Sequence, residues 1–234
     1  MPSEKKISII IPTLNEEYFI TKLIPHLRNG DKQNLVKEII LVDAGSKDET
    51  CKIGEELGVR IIHSTQKGRA IQMNLGAKHA KSEILHFIHA DAFPPENFSQ
   101  EVLNILESCD AGCFRSLFDT DGWFLRTNSW FTRFNGTFFR GGGQTLFMER
   151  DLFRELGGYD ESVDLMEEYE LIQRIKKNGS FKVIQQDVLV SARDYNKHGH
   201  WTLQTKYSLI YALFFFGFSQ KTMKKFYSWL MKKH

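Results

Sequence analysis

His89 and Asp91 sit two residues apart at the close of the run Ile84-Leu85-His86-Phe87-Ile88-His89-Ala90-Asp91, which Pro94 and Pro95 then stop. On an extended backbone such a pair faces one side. An imidazole and a carboxylate at the carboxyl end of a buried strand suit a metal ion or a polar ligand. The other reading is a plain polar strand end. Asp43 closes a second apolar run, Glu38 to Val42, where a carboxylate can accept hydrogen bonds from a ribose or a base edge, or simply form a turn. Lys67 and Arg69 flank Gly68 and could reach a phosphate, or stay solvated. Further on, Arg140-Gly141-Gly142-Gly143-Gln144 puts an arginine beside three glycines. Glycines let backbone amides approach a ligand closely, and an arginine suits a diphosphate; a flexible linker is the alternative.

These residues need strands to carry them. Ile7 to Ile11 is a β-branched run closed by Pro12, Glu38 to Val42 is a second, Val59 to His63 a third, and Ile84 to Ile88 a fourth. Between them lie helical stretches: Phe19 to Leu27 with Asn15 placed as its cap, Thr50 to about Leu57, and Arg69 to Ala80. Strands alternating with helices of this length predict a parallel, Rossmann-like sheet covered on both faces. In such a sheet Thr13, Asp43, His63 and Asp91 end on one shared edge. No Gly-x-Gly-x-x-Gly precedes Asp43, which disfavours a dinucleotide cofactor.

The second half predicts a helix over Phe98–Leu106, a strand over Ala111–Phe118 and a turn at Asp119-Thr120-Asp121-Gly122. An aromatic stretch from Trp123 to Phe139 follows, read as a helix buried against the sheet or as a wall facing an acceptor. A strand over Thr145–Met148, a short helix over Asp151–Leu156, a helix opening near Glu167 and two short strands, Phe181–Ile184 and Val188–Val190, complete the half. Trp201 to Phe218 is the most apolar stretch and is followed by Lys221, Lys224, Lys225, Lys232 and Lys233. It is too short and too polar for a membrane span. It either lies on an anionic membrane or docks on the core.

Composition narrows the classes. At 234 residues, 41% of them hydrophobic, the chain can bury one substantial core. A net charge of +2 argues against a broad nucleic-acid surface, so no nucleic-acid partner is expected. Three cysteines without a Cys-x-x-Cys pair read as free thiols of a reducing compartment, without a zinc site. No secretory signal is visible in the polar start, so a cytoplasmic protein is expected, with the inner face of a membrane as its one alternative site.

Ile-Pro-Thr-Leu-Asn-Glu-Glu (11–17), Val-Asp-Ala-Gly-Ser-Lys-Asp-Glu-Thr (42–50), Lys-Gly-Arg-Ala-x-Gln-Met-Asn-x-Gly-Ala (67–77), His-Ala-Asp (89–91), Gly-Gly-Tyr-Asp (157–160) and Glu-Glu-Tyr-Glu-Leu-x-x-Arg (167–174) stand in this order. Together they resemble the successive motifs of family-2 glycosyltransferases over nearly the whole chain. The resemblance implies an α/β GT-A fold over 1–200, with a nucleotide-binding half (1–95), an acceptor half (96–200) and a C-terminal helical segment (201–234). It implies transfer of one sugar, with inversion, from a nucleoside-diphosphate sugar, UDP before GDP, to an acceptor that includes lipid-linked ones. Pro12, Thr13, Asn15, Glu17 and Asp43 would line the nucleotide pocket, with Arg69 near the base or phosphate and Gly142 and Gly143 beside the sugar. His89-Ala90-Asp91 takes the place of the family's Asp-x-Asp. Asp91 would hold a divalent ion, Mn²⁺ before Mg²⁺ because imidazole accepts manganese more readily. His198 or Arg193 would complete the metal or diphosphate shell. Glu168 falls on the family's base, with Glu167 as substitute. Ala44, His89 and Glu168 depart from the usual aspartates. A GT-A fold that binds sugar nucleotides without turnover is therefore the rival, and a nucleotidyltransferase a weaker one.

Overall fold

The computed structural model describes residues 5–120, 122–136, 139 and 142–232. Asp121, Phe138, Arg140, Gly141 and Lys233, which the sequence reading invoked, lie outside the described residues. Eight strands form one sheet in the order β3-β2-β1-β4-β7-β6-β8-β5. They are β1 (Ile7–Thr13), β2 (Val36–Asp43), β3 (Arg60–His63), β4 (Ile84–Phe87), β5 (Ala92–Phe93), β6 (Ala111–Phe118), β7 (Leu146–Glu149) and β8 (Phe181–Val190). The first four pair in parallel, with Thr13 beside Asp43 and Asp43 beside His63. Three strand ends thus share an edge, as the alternation of elements requires. Beyond β4 the sheet is mixed: β7 runs antiparallel to β4 and β6, while β6 and β8 run parallel.

Helices α1 (Glu17–Gly30), α2 (Thr50–Glu56) and α3 (Arg69–His79) are the crossovers. Residue alternation along β1 divides the core. Ile7, Ile9 and Ile11 pack with α1 and with α4 (Phe98–Leu106), while Ile10 packs on the other face with Met73 of α3. Helix α3 lies so close that a Cβ on Gly76 would stand 2.4 Å from Ile10 Cγ2 and 3.0 Å from Val42 Cγ2. Gly76→Ala is expected to destabilise the protein by about 1–3 kcal/mol through overpacking, less up to about 1 kcal/mol of helix propensity regained. An unchanged urea midpoint would contradict this packing.

His86 of β4 is fully buried among Phe98, Phe114 and Phe147, with ring centroids 5.7 to 6.1 Å away. Neither ring nitrogen has a hydrogen-bond partner among the described residues, and burial pushes its pKa down to about 3. An imidazole charged in the unfolded chain and neutral in the fold binds more protons when unfolded. Stability is therefore lost as pH falls from about 6.5 toward 3, by at most about 1.4 kcal/mol per pH unit. His86→Leu is expected to flatten that limb; equal acid sensitivity in urea titrations of both proteins would refute the assignment.

Several expectations need correction. Phe181–Ile184 and Val188–Val190 are one strand, because a bulge opposite Phe114 and Arg115 absorbs Gln185 and Gln186. Asn15 does not cap α1: it takes a left-handed backbone (φ 57°) and Glu16 stands at the cap position. The aromatic stretch is not uniformly buried. Helix α5 covers Trp123–Phe131 and buries Leu125, yet Trp123 is 70% exposed and Trp130, Phe131 and Phe134 are exposed too. Trp130, Phe131, Phe134 and Phe139 pack against one another.

The short helix α6 (Arg150–Glu155) and the longer α7 (Glu167–Asn178) cover the second face. After β8 come α8 (Arg193–His198), α9 (His200–Phe215) and α10 (Gln220–Lys232). Among the described residues no helix is long and apolar enough to cross a membrane.

Candidate active site

The loops after β1 and β2 are laced together. Asp43 Oδ2 accepts the amides of Gly45 and Ser46, both at 2.9 Å, and the Ser46 hydroxyl also bonds Asp43. Burial raises the Asp43 carboxyl, but these donors outweigh it and hold it below the usual carboxylate range. Thr13 Oγ1 donates to Asp43 Oδ1 at 3.3 Å. Gln72 of α3 ties the two strand ends, donating to the Thr13 and Val42 carbonyls at 2.9 and 2.6 Å.

Asn15 and Glu17 are engaged in the same lacing. Asn15 Oδ1 accepts the Lys47 amide at 2.8 Å and Glu17 Oε2 accepts the Glu49 amide at 2.9 Å. In return Asp48 Oδ2 accepts the Glu17 amide at 3.1 Å. Each loop thus satisfies amides at the other's helix start, which free helix N-termini require. The acidic residues of both motifs have this structural use whatever else they do. Pro12 lies half-buried in β1 beside them.

Further along the edge, His89 and Glu168 meet across 79 residues of sequence: Nε2 lies 2.8 Å from Glu168 Oε1. Both are largely buried, with side chains 14% and 9% exposed. Burial raises the Glu168 carboxyl, yet its bond to His89 and the charges of His89 and Arg69 bring it below its ordinary value. Glu167 moves the other way. Burial, then the Glu168 charge, push it up to about 7, against the pull of Arg69, whose Nε lies 3.4 Å from Glu167 Oε1. Neighbouring carboxylates in one dry place cannot both ionise freely, and the one paired with the imidazole keeps its charge.

Helix α7 owes its position to Arg174. Its guanidinium donates to the carbonyls of Leu156 and Gly158 at 2.5 and 2.7 Å and pairs with Glu170. Asn74 of α3 holds the same loop, exchanging bonds of 2.9 Å with the amide and carbonyl of Tyr159. The helix start then stabilises the two glutamates by its dipole.

Asp91 lies beside this pair. Its carboxylate, 20% exposed, stands 3.5 Å from Arg193 Nε. Arg193 also makes a bidentate pair with Glu16, two bonds of 2.7 Å, and covers the Phe19 ring. It thereby fastens α8 to the loop after β1. His198 ends α8, half-buried. Gly142 opens a 3-10 turn with Gly143 and Gln144. A Cβ on Gly143 would stand 2.8 Å from Val190 Cγ2, so close packing on β8 already asks for glycine there.

One divalent ion on a diphosphate needs one or two protein carboxylates, the remaining oxygens coming from phosphate and water. Asp91 fits that demand. Since Glu168 takes His89 Nε2, only Nδ1 of the imidazole remains for an ion. Among the described residues, Asp43, Cys51 and His63 form a separate group whose donor atoms lie within 4.8 Å of one another. All three cysteines are free thiols, and burial with the Asp43 charge pushes Cys51 up to about 11.

The family model "Glycosyl transferase family 2" matches residues 8–158, well over half of the sequence. The chain belongs to glycosyl transferase family 2. Among similar proteins, a dolichyl N-acetyl-alpha-D-glucosaminyl phosphate 3-beta-D-2,3-diacetamido-2,3-dideoxy-beta-D-glucuronosyltransferase from Methanococcus voltae is 32% identical over 99 residues, 39% of this chain and 31% of that one. The chain spans 24% to 40% of the length of the first curated relatives it matches. Two solved structures share the GT-A fold at 17% identity. A mannosyltransferase from Pyrobaculum calidifontis, in complex with GDP-Man and Mn²⁺, superposes with TM-score 0.69 over 89% of this chain and 63% of its own. TarS from S. aureus, in complex with UDP-GlcNAc, gives 0.67 over 80% and 58%.

Within this family-2 fold, sequence reasoning passed over Ser46, Gln72, Asn74 and Arg174 as site builders. Each lies in a motif it had quoted, or one residue from it, yet their work is visible only once the strand ends and loops are adjacent. It also left His89 without a partner, since nothing in the spacing of residues 89 and 168 says that they touch.

Proposed function

We propose that this family-2 chain moves one sugar from a nucleoside-diphosphate sugar, UDP before GDP, to an acceptor hydroxyl with inversion at the anomeric carbon. The single observation that carries the reading is the Glu168–His89 contact. It sets an ionised carboxylate of α7 against the turn between β4 and β5, which also bears Asp91 and is not the extended strand end expected for His89 and Asp91. Thr13 and Asp43 would receive the nucleoside, as ordered polar groups at the ends of β1 and β2, and Arg69 the phosphate side.

Glu168 would take the proton of the acceptor hydroxyl as its oxygen bonds to the anomeric carbon. The bond from that carbon to the diphosphate oxygen breaks on the opposite face, and the diphosphate leaves with the electron pair. Asp91 would hold the divalent ion, Mn²⁺ or Mg²⁺, which neutralises charge growing on the leaving diphosphate. Arg193 supplies a second positive charge beside Asp91. Gly142, Gly143 and His198 remain candidates for the sugar and metal sides of the same site.

The acceptor is proposed to be lipid-linked, as the dolichyl name of the Methanococcus voltae relative points that way. The exposed Trp201, Phe216 and Phe218 of α9 and its following turn, with the lysines of α10, would rest on a membrane surface. The test of the transfer step is stereochemical. Proton NMR of the first product is expected to show the anomeric configuration opposite to the donor's; retention would overturn the single-displacement mechanism.

A further inference from the structure

His63 ends β3 beside Asp43, which ends β2, and the two are register partners in the parallel ladder. Such partners carry their side chains on one face of the sheet. Cys51, in the first turn of α2, bonds the Asp43 carboxylate through its thiol. A carboxylate oxygen, a sulfur and an imidazole nitrogen thus lie within 4.8 Å of one another, brought together from three elements. His63 is exposed and Cys51 half-buried, so the group opens to solvent. The Gly45 and Ser46 amides fix the Asp43 carboxylate, as the neighbours of a metal-binding carboxylate should. Burial first, then the charges of Asp43, Glu55 and Asp48, keep the thiol protonated, its pKa raised to about 11. Surroundings that disfavour a bare thiolate through negative charge favour a cation, which supplies the opposite charge where the proton stood.

We propose that Asp43, Cys51 and His63 form a binding site for a borderline-soft divalent cation, zinc before others, with a fourth position open to water. Mixed sulfur, nitrogen and oxygen ligands suit zinc, whereas magnesium and manganese prefer oxygen. Ligand atoms around a tetrahedral zinc ion stand roughly 3.3–3.6 Å apart, from bond lengths of about 2.0–2.3 Å. The group therefore needs to close by no more than about 1.5 Å, which rotation of the exposed His63 ring can provide. Binding breaks the Cys51 S–H bond. The proton leaves to water and the sulfur keeps its electron pair for the metal, so no oxidant or reductant takes part. The site is separate from Asp91, since β1 lies between β2 and β4 in the sheet. The proposed function gives Asp43 to the nucleoside, so on that reading an ion here and a bound nucleotide exclude each other. Zinc would then inhibit through the donor pocket. Only this consequence rests on the transferase reading; the metal site does not.

The test of the site needs neither nucleotide nor sugar. Co²⁺ titrated into the reduced, intact chain is expected to give a thiolate-to-cobalt charge-transfer band with the strong visible bands of four-coordinate cobalt. Zn²⁺, the tighter binder of the two, should abolish both. Cys51→Ser should lose the charge-transfer band. Against a chromophoric chelator, Cys51→Ser and His63→Ala should each bind Zn²⁺ at least roughly 10- to 100-fold more weakly, the loss found even for residues that merely support a metal ligand. Unfolding temperature checks the fold, and His63 is exposed, so its variant should fold even if Cys51→Ser is unstable. Absence of the thiolate band, or Zn²⁺ bound equally tightly by wild type and either variant, would overturn the site. Whichever of UDP and GDP binds with Mn²⁺ should bind wild type holding one equivalent of Zn²⁺ at least roughly tenfold more weakly. Cys51→Ser given the same Zn²⁺ should show no such loss, which controls for chelation by the nucleotide. Equal binding to loaded and unloaded wild type would overturn the exclusion, whereas failure of both nucleotides to bind would count against the transferase reading alone.

Discussion

Glu168→Gln is expected to lower the rate of sugar transfer by roughly 10²- to 10⁴-fold, the range of a lost general base, while nucleotide binding survives. Glutamine has the same shape and its amide can still bond His89 Nε2, which lies 2.8 Å from the present carboxylate. The fold and the α7 start should therefore persist. Glu167→Gln should act differently. That carboxyl faces Arg69 and is pushed up to about 7, so its loss should be felt mainly in donor KM. The pH profile separates the two glutamates. With Glu168 held below the usual carboxylate range, kcat should stay level on the acid side of neutrality. Were Glu167 the base, its deprotonated form would fade below pH 7 and kcat would fall tenfold per unit. Transfer retained in Glu168→Gln would remove this residue from the mechanism.

Asp91→Asn is expected to cost roughly 10²- to 10³-fold in metal-dependent turnover, since charge neutralisation on a leaving diphosphate is worth several kcal/mol. The substitution keeps the side chain's shape. Arg193 keeps its bidentate bond to Glu16, so α8 stays fastened to the loop after β1. The loss should therefore appear in steady-state turnover at saturating Mn²⁺ without a fall in unfolding temperature. A variant as active as wild type at every Mn²⁺ concentration would show that Asp91 holds no ion.

Much of this was legible in the sequence because β-branched runs alternate with helical periods, and that alone dictates a parallel half-sheet. Strand ends then converge by topology, so Thr13, Asp43 and His63 could be placed on one edge from spacing. The reading failed where a side chain's partner lies far along the chain. Asn15 has the residue type of a helix cap, yet its carbonyl oxygen serves Lys47 in the neighbouring loop, 32 residues away. Nor could spacing show that Glu17 and Asp48 accept amides from each other's loops. The aromatic stripe after Gly122 has helical spacing, which cannot tell a core face from a face left open to an acceptor. The break between Ile184 and Val188 looked like two strands because a bulge interrupts the apolar pattern without ending the ladder.

The nucleotide edge can be tested before the donor sugar or the acceptor is known. UDP and GDP are titrated calorimetrically into wild type and Asp91→Asn, each with and without Mn²⁺. At least one nucleotide is predicted to bind wild type, more tightly with Mn²⁺ by at least about tenfold, and to lose that enhancement in Asp91→Asn. Binding of neither nucleotide, or a Mn²⁺ enhancement that persists in Asp91→Asn, would contradict a diphosphate site built on the turn between β4 and β5.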